Sequence, residues 1–155
     1  MSVKSVCTAA AAFTLVPIAA FAMEPADNLS AHLEGTTVPV TINNYVMAET
    51  AGQFDRILKM TGGVNELRSF REPTPLDKQS VIRMNRDTLY SFAVVDISKG
   101  AKLTMPETNG RYNSAMIVNE KEYINKVFYK PGTHELTKDE FDTDYVLVAF
   151  RTLVD

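Results

Sequence analysis

Short apolar runs separated by turn residues occupy the second half of the chain. They cover residues 81–84, 89–97, 102–105, 112–118, 123–129 and 145–153. The intervening segments carry turn signals such as Asn109-Gly110 and Pro131-Gly132, and strands at this spacing are typical of antiparallel β structure. The runs at 89–97 and 145–150 are apolar on both faces, so we expect them to be central strands, whereas 123–129 suits a more exposed position.

One helical pattern precedes these strands. Thr41 has the character of a helix cap, and Gly62-Gly63 ends the pattern. Between them the apolar residues recur at spacings that place most of them on one helical face; they are Ile42, Tyr45, Val46, Phe54, Ile57 and Leu58. This predicts an amphipathic helix of about 18–20 residues. The predicted fold class is therefore mainly β, an antiparallel β-sandwich preceded by one amphipathic helix.

The first 22 residues have the layout of a secretory signal peptide. Lys4 is followed by an apolar stretch that closes on Ala20-Phe21-Ala22, and small residues at these positions favour cleavage after Ala22. We expect residues 23–40, which mix proline, glycine and polar residues, to be a mobile lead-in, and residues 41–155 to form the domain. Cys7, the only cysteine, would leave with the signal peptide. The protein is thus predicted to be periplasmic or secreted, without a membrane span after cleavage.

Charge and motif content give no support to several functions. Of the 155 residues, 45% are hydrophobic and 23% charged, with a formal net charge of −3. A small acidic net charge gives no reason to expect a nucleic acid partner. The chain lacks the G-x-S-x-G pentapeptide of many serine hydrolases, and His134 is its only histidine after residue 40.

Metal and cofactor binding receive little support from the residue pattern. The densest acidic cluster consists of Glu135, Asp139, Glu140, Asp142 and Asp144. It could attract calcium, but it lacks the glycine and terminal glutamate of an EF-hand loop, so a solvated turn or the start of a short helix is the better interpretation. We predict neither a metal site nor a cofactor.

The most specific polar motif lies between apolar runs, from Arg83 to Ser91. Asn85 and Asp87 can bind nearby backbone amides and form a tight corner, while Arg83 and Arg86 could bind a carboxylate or phosphate. The structural role is the more common one for such groups. The candidate ligand-binding residues are Arg83, Asn85, Arg86, Asp87, Tyr90 and Arg151.

Several sequence blocks together resemble a known family. They are NYVxAET at residues 44–50, REPTPLD at 71–77, VIRMNRDTLYS at 81–91, PGTH at 131–134 and YVLVAFRTLVD at 145–155. They resemble the family known as domain of unknown function 1254, over about residues 41–155. The resemblance implies an often exported β-sandwich preceded by a helix, which is often followed by a jelly-roll-like domain. It implies no catalytic residue.

The chain departs from this family at two places. Family members often carry an acid-His-Tyr-x-Pro stretch where this chain has residues 120–125, EKEYIN, so a site that needs that histidine or proline is in doubt. Relatives also usually continue beyond the position of Asp155, which makes this sequence either a short form or a fragment.

Two classes of function are compatible with these observations. The first is a ligand- or partner-binding module of the cell envelope, with a jelly-roll-like second domain or a second copy of the chain as partner. The second is a hydrolase-like, esterase-type enzyme whose site is completed by another domain or chain.

Overall fold

A computed structural model describes residue 35, residues 37–79 and residues 81–154. The predicted signal peptide and most of the predicted lead-in lie outside these residues. The helices are α1 (Tyr45–Thr61) and α2 (Lys138–Phe141), with a 3-10 turn at Leu76–Lys78. The strands are β1 (Arg68–Ser69), β2 (Thr88–Asp96), β3 (Ala101–Met105), β4 (Asn113–Asn119), β5 (Ile124–Phe128), β6 (Gly132–Leu136) and β7 (Tyr145–Leu153).

All strand pairs are antiparallel, and they form two sheets. The larger sheet has the order β1-β2-β7-β4-β5, and the smaller one consists of β3 and β6. Two antiparallel sheets, preceded in the chain by one long helix, confirm the predicted fold class. β7 is central, as predicted, whereas β2 has only the two-residue strand β1 on its outer side.

The larger sheet lies between α1 and the smaller sheet because its strands are apolar on both faces. Val146 and Val148 of β7 pack with Met105 and Leu136 of the smaller sheet in one core cluster. Leu147, which points to the opposite face, packs in the second cluster with residues of α1. The period-2 alternation of β7 thus supplies both cores of a three-layer domain.

The helix α1 begins later than the sequence predicts. Thr41 is not its cap: the backbone amide and hydroxyl of Thr41 donate hydrogen bonds to Asn44 Oδ1, and the backbone N–H of Asn44 donates to Thr41 O, so residues 41–44 form a turn. Ile42 is 94% exposed in this turn. The end of the helix agrees with the sequence, because Gly62 adopts a left-handed conformation (φ 103°) and its N–H donates to Leu58 O at 2.8 Å.

Two segments differ from the predicted strand pattern. Residues 81–84 form no strand, because Arg83 has a positive φ of 57° that interrupts an extended backbone. Ile82 is 95% exposed there. Conversely, β6 contains a single large apolar residue and was not predicted. Its inward-facing His134 stacks on Phe128 with ring centroids 4.1 Å apart.

Candidate ligand-binding site

A cavity of about 460 Å³ opens between α1, β2 and the segments that precede β2. Its wall is mostly apolar, with a few polar groups. The apolar lining residues are Ile57, Met60, Phe70, Pro73, Val81, Met84, Leu89 and Phe92. The polar lining residues are Glu72, Thr74, Arg83, Asn85, Thr88 and Tyr90.

Strand and helix periodicity bring these residues together. Thr88, Tyr90 and Phe92 alternate along β2 and therefore share the face that carries Val94 under α1. Ile57 and Met60, three positions apart on α1, lie on one side of the helix. Phe70 packs edge-on against Phe92, with centroids 6.3 Å apart. The cavity is thus bounded by regular elements on two sides.

Asn85 organises the turn that enters β2. Its Oδ1 accepts a hydrogen bond from the backbone N–H of Asp87 at 2.7 Å, and its Nδ2 donates to Thr88 Oγ1 at 3.2 Å. Asn85 therefore makes the backbone bond that the sequence suggested for either Asn85 or Asp87. The side chain of Asp87 is exposed and does not line the cavity.

Tyr90 and Arg151 face each other across the β2–β7 pair. Arg151 Nη2 donates to the Tyr90 hydroxyl at 2.9 Å, and the guanidinium carbon lies 5.3 Å from the centroid of the ring. Partial burial raises the pKa of Tyr90, but hydrogen bonds from Arg151, Thr88 and Asn85 and the charge of Arg151 outweigh it. The net pKa is lowered from the ordinary value of 10.0.

The cavity has two exposed charged residues, Arg83 and Glu72. Within the part of the chain that the structure describes, neither forms an ion pair or a side-chain hydrogen bond. Arg83 has a left-handed backbone conformation, which is energetically unfavourable for most residues other than glycine and asparagine. A cation and an anion therefore line the same cavity without neutralising each other.

The structure brings together three of the six predicted residues at the cavity and connects a fourth to it. Arg83, Asn85 and Tyr90 line the cavity, and Arg151 contacts Tyr90. Arg86 instead donates to the backbone oxygen of Thr74, where it anchors the preceding segment. The apolar wall was missed, because Ile57 and Phe92 carry the same sequence signal as core residues.

The acidic cluster and His134 lie elsewhere. Four of the carboxylates pair with lysines: Lys102–Glu135, Lys121–Asp142, Lys126–Glu140 and Lys138–Asp144. The hydrogen bond from Lys121 lowers the pKa of the Asp142 carboxyl. Among the described residues, no group of three or more histidine, cysteine, aspartate or glutamate side chains is arranged to hold a metal ion.

The fold and the site define a helix-preceded, antiparallel β domain with a small-molecule-sized cavity beside its helix. Residues 64–123 match the model of the family described as protein of unknown function (DUF1254), which confirms the resemblance over this range. The match includes β1, β2 and all of the loop residues that line the cavity. No curated protein and no solved structure gave a significant match to the chain. None of the helices in the described residues combines the length and apolar character needed to cross a bilayer.

Proposed function

We propose that this protein is an exported binding module that holds a small molecule in the cavity between α1 and β2. The proposal rests on the volume and the lining of the cavity. Its volume of about 460 Å³ falls in the range of roughly 300–1,000 Å³ that is typical of ligand pockets, and its apolar walls with a few convergent polar groups have the usual character of such sites.

The polar groups at the cavity support binding rather than nucleophilic catalysis. Of the described residues that line it, none is a histidine or a cysteine, and His134 lies in β6, with its Nε2 3.0 Å from Lys130 O. A serine or cysteine nucleophile needs a neighbouring base. The described lining contains no serine either, so the esterase-type alternative would require a nucleophile and its histidine base to come from another domain or chain.

We also propose that the protein associates with a partner. The first turn of α1 exposes Tyr45 and Val46, and the preceding turn exposes Ile42. Neighbouring apolar side chains in water are typical of an interface. This supports association with a second domain, which the family resemblance suggests is jelly-roll-like, or with a second copy of the chain.

Binding of 1-octanol, followed by isothermal titration calorimetry, tests the cavity. Met60 lines it from α1 without belonging to either core cluster. The substitution Met60→Trp should therefore fill the cavity and lower the affinity at least tenfold while leaving the thermal melt near that of the wild type. Val46→Trp places the same ring on the exposed part of the same helix and should bind as the wild type does. Equal affinity in the two variants would refute the site.

A further inference from the structure

We infer that the ligand of this cavity carries a carboxylate group on an apolar body, because Arg83 and the Tyr90 hydroxyl in its wall are set to donate hydrogen bonds. This inference rests on the proposed binding function and adds the chemical class of the ligand.

The backbone N–H of Asp87 fixes the direction of the hydrogen bonds that Asn85 makes. The N–H of Asp87 can only donate, so Asn85 must present Oδ1 to it at 2.7 Å and its Nδ2 to Thr88. Thr88 Oγ1 then accepts from Asn85 at 3.2 Å. The amide of Asn85 is fixed in one orientation, and the Thr88 hydroxyl keeps its proton for donation.

The Tyr90 hydroxyl oxygen is also an acceptor within the protein. It accepts from Arg151 Nη2 at 2.9 Å. Among the described residues, the Tyr90 hydroxyl donates to no acceptor. A tyrosine hydroxyl has one proton, so that proton is available to an acceptor atom of a ligand in the cavity.

Arg83 supplies a positive charge at the cavity. The residue lines this cavity and, in the described part of the chain, its guanidinium has no acceptor of its own. A guanidinium and a phenol hydroxyl together suit the two oxygens of a carboxylate, since hydrogen bonds to an ionised acceptor are the stronger ones.

Glu72 favours a ligand with a single negative charge. Glu72 also lines the cavity, and its carboxylate has no cationic partner among the described residues. The charges of Arg83 and Glu72 sum to zero, so the wall has no excess positive charge to balance a dianionic group such as a phosphate monoester, whereas Arg83 alone can pair with a monoanion. The remaining wall, which includes Met60, Leu89 and Phe92, suits an apolar body.

Octanoate and 1-octanol, which differ in the head group, separate this inference from the proposed function. Calorimetry at neutral pH should give octanoate an affinity about tenfold or more above that of 1-octanol, the size expected for hydrogen bonds to a charged group. Arg83→Asn should remove this preference, so that the ratio of the two affinities falls to about one. Asparagine is chosen because it tolerates the left-handed backbone at this position.

Three further variants serve as controls. Arg71→Asn removes a nearby exposed arginine that does not line the cavity and should keep the preference. Tyr90→Phe should weaken octanoate several-fold, and Glu72→Gln should strengthen it. Equal, Met60-dependent binding of both ligands would overturn the carboxylate inference and leave the proposed function standing. If neither ligand binds, the proposed function fails and the inference fails with it.

Discussion

Replacing Phe54 by alanine tests how firmly α1 is attached to the sheet. Phe54 is 1% exposed and packs in one cluster with Leu58 and with Val94 of β2, which is 0% exposed. Ile57 and Met60, which form the helical wall of the cavity, lie within two turns of it. The helix and the site therefore depend on the same side chain.

The expected loss follows from the buried area. A buried aromatic side chain removes roughly 150–250 Å² from water, which at about 25 cal/mol per Å² corresponds to about 4–6 kcal/mol. Alanine retains part of that contact, and Phe→Ala substitutions in protein cores cost about 3–5 kcal/mol. We expect the free energy of unfolding to fall by about 3–5 kcal/mol, a large share of the roughly 5–15 kcal/mol available to a domain.

Urea unfolding monitored by circular dichroism measures this loss, and a thermal melt should shift downward by roughly 10–25 °C for a domain of this size. Tyr45→Ala is the matched control, because this ring lies on the same helix but is 59% exposed. It should change the free energy of unfolding by less than about 0.5 kcal/mol. If Phe54→Ala costs no more than Tyr45→Ala, α1 does not pack on β2 as described.

The other expected outcomes concern the turn at Asn85, the titration of Tyr90, export and association. Asn85→Ala, which loses the bond to the backbone of Asp87, should cost about 1 kcal/mol in urea unfolding, whereas Asp87→Ala should be nearly neutral; equal costs would contradict the assigned turn. The pKa of Tyr90 is lowered mainly by Arg151 against the opposing effect of burial, so ultraviolet titration should show Arg151→Met raising it. Because the folded pKa lies below the unfolded value of about 10.0, the stability of the wild type relative to Tyr90→Phe should be unaffected by titration at neutral pH. It should rise as the pH passes the folded pKa and approaches the unfolded one, and a constant difference would refute the shift. Intact-mass analysis of secreted or periplasmic protein should find a chain that begins at Met23, and full-length protein in the membrane fraction would contradict export. Light scattering after size-exclusion chromatography should detect a dimer or a complex with a co-expressed jelly-roll partner, and a monomer at high concentration that binds neither would refute association.

The strands with continuous apolar runs were predictable from the sequence. β7 extends from Tyr145 to Leu153, as predicted, and β2 and β4 each agree with their apolar runs to within one residue. Their signal is strong because both faces of these strands are covered, so that nearly every position is apolar. β6 gave no such signal, since Leu136 is its only large apolar residue and its pairing with β3 depends on backbone hydrogen bonds.

The candidate site was predictable only in its polar part. The motif around Asn85 and Tyr90 is distinctive because polar residues interrupt apolar runs. Arg86 belongs to the same motif but binds the backbone at Thr74, and no sequence pattern separates its role from that of Arg83. Only the positive φ at Arg83 shows that residues 81–84 leave the extended conformation and become part of the wall.

The sequence by itself determined the local structure of this protein: the helix that ends at Gly62, the apolar strands and the polar turn at Asn85. These features depend on neighbours within a few residues, through periodicity, capping and side-chain bonds to the backbone. Only the tertiary structure decided which apolar side chains became core and which became the cavity wall. Phe54 and Met60 lie on the same helix, yet Phe54 is buried in a core cluster with Val94, whereas Met60 belongs to neither core cluster and borders the cavity. The residues that complete the cluster and the cavity lie in β2 and in the segments before it, distant from the helix in the chain, so no local pattern decides between the two outcomes.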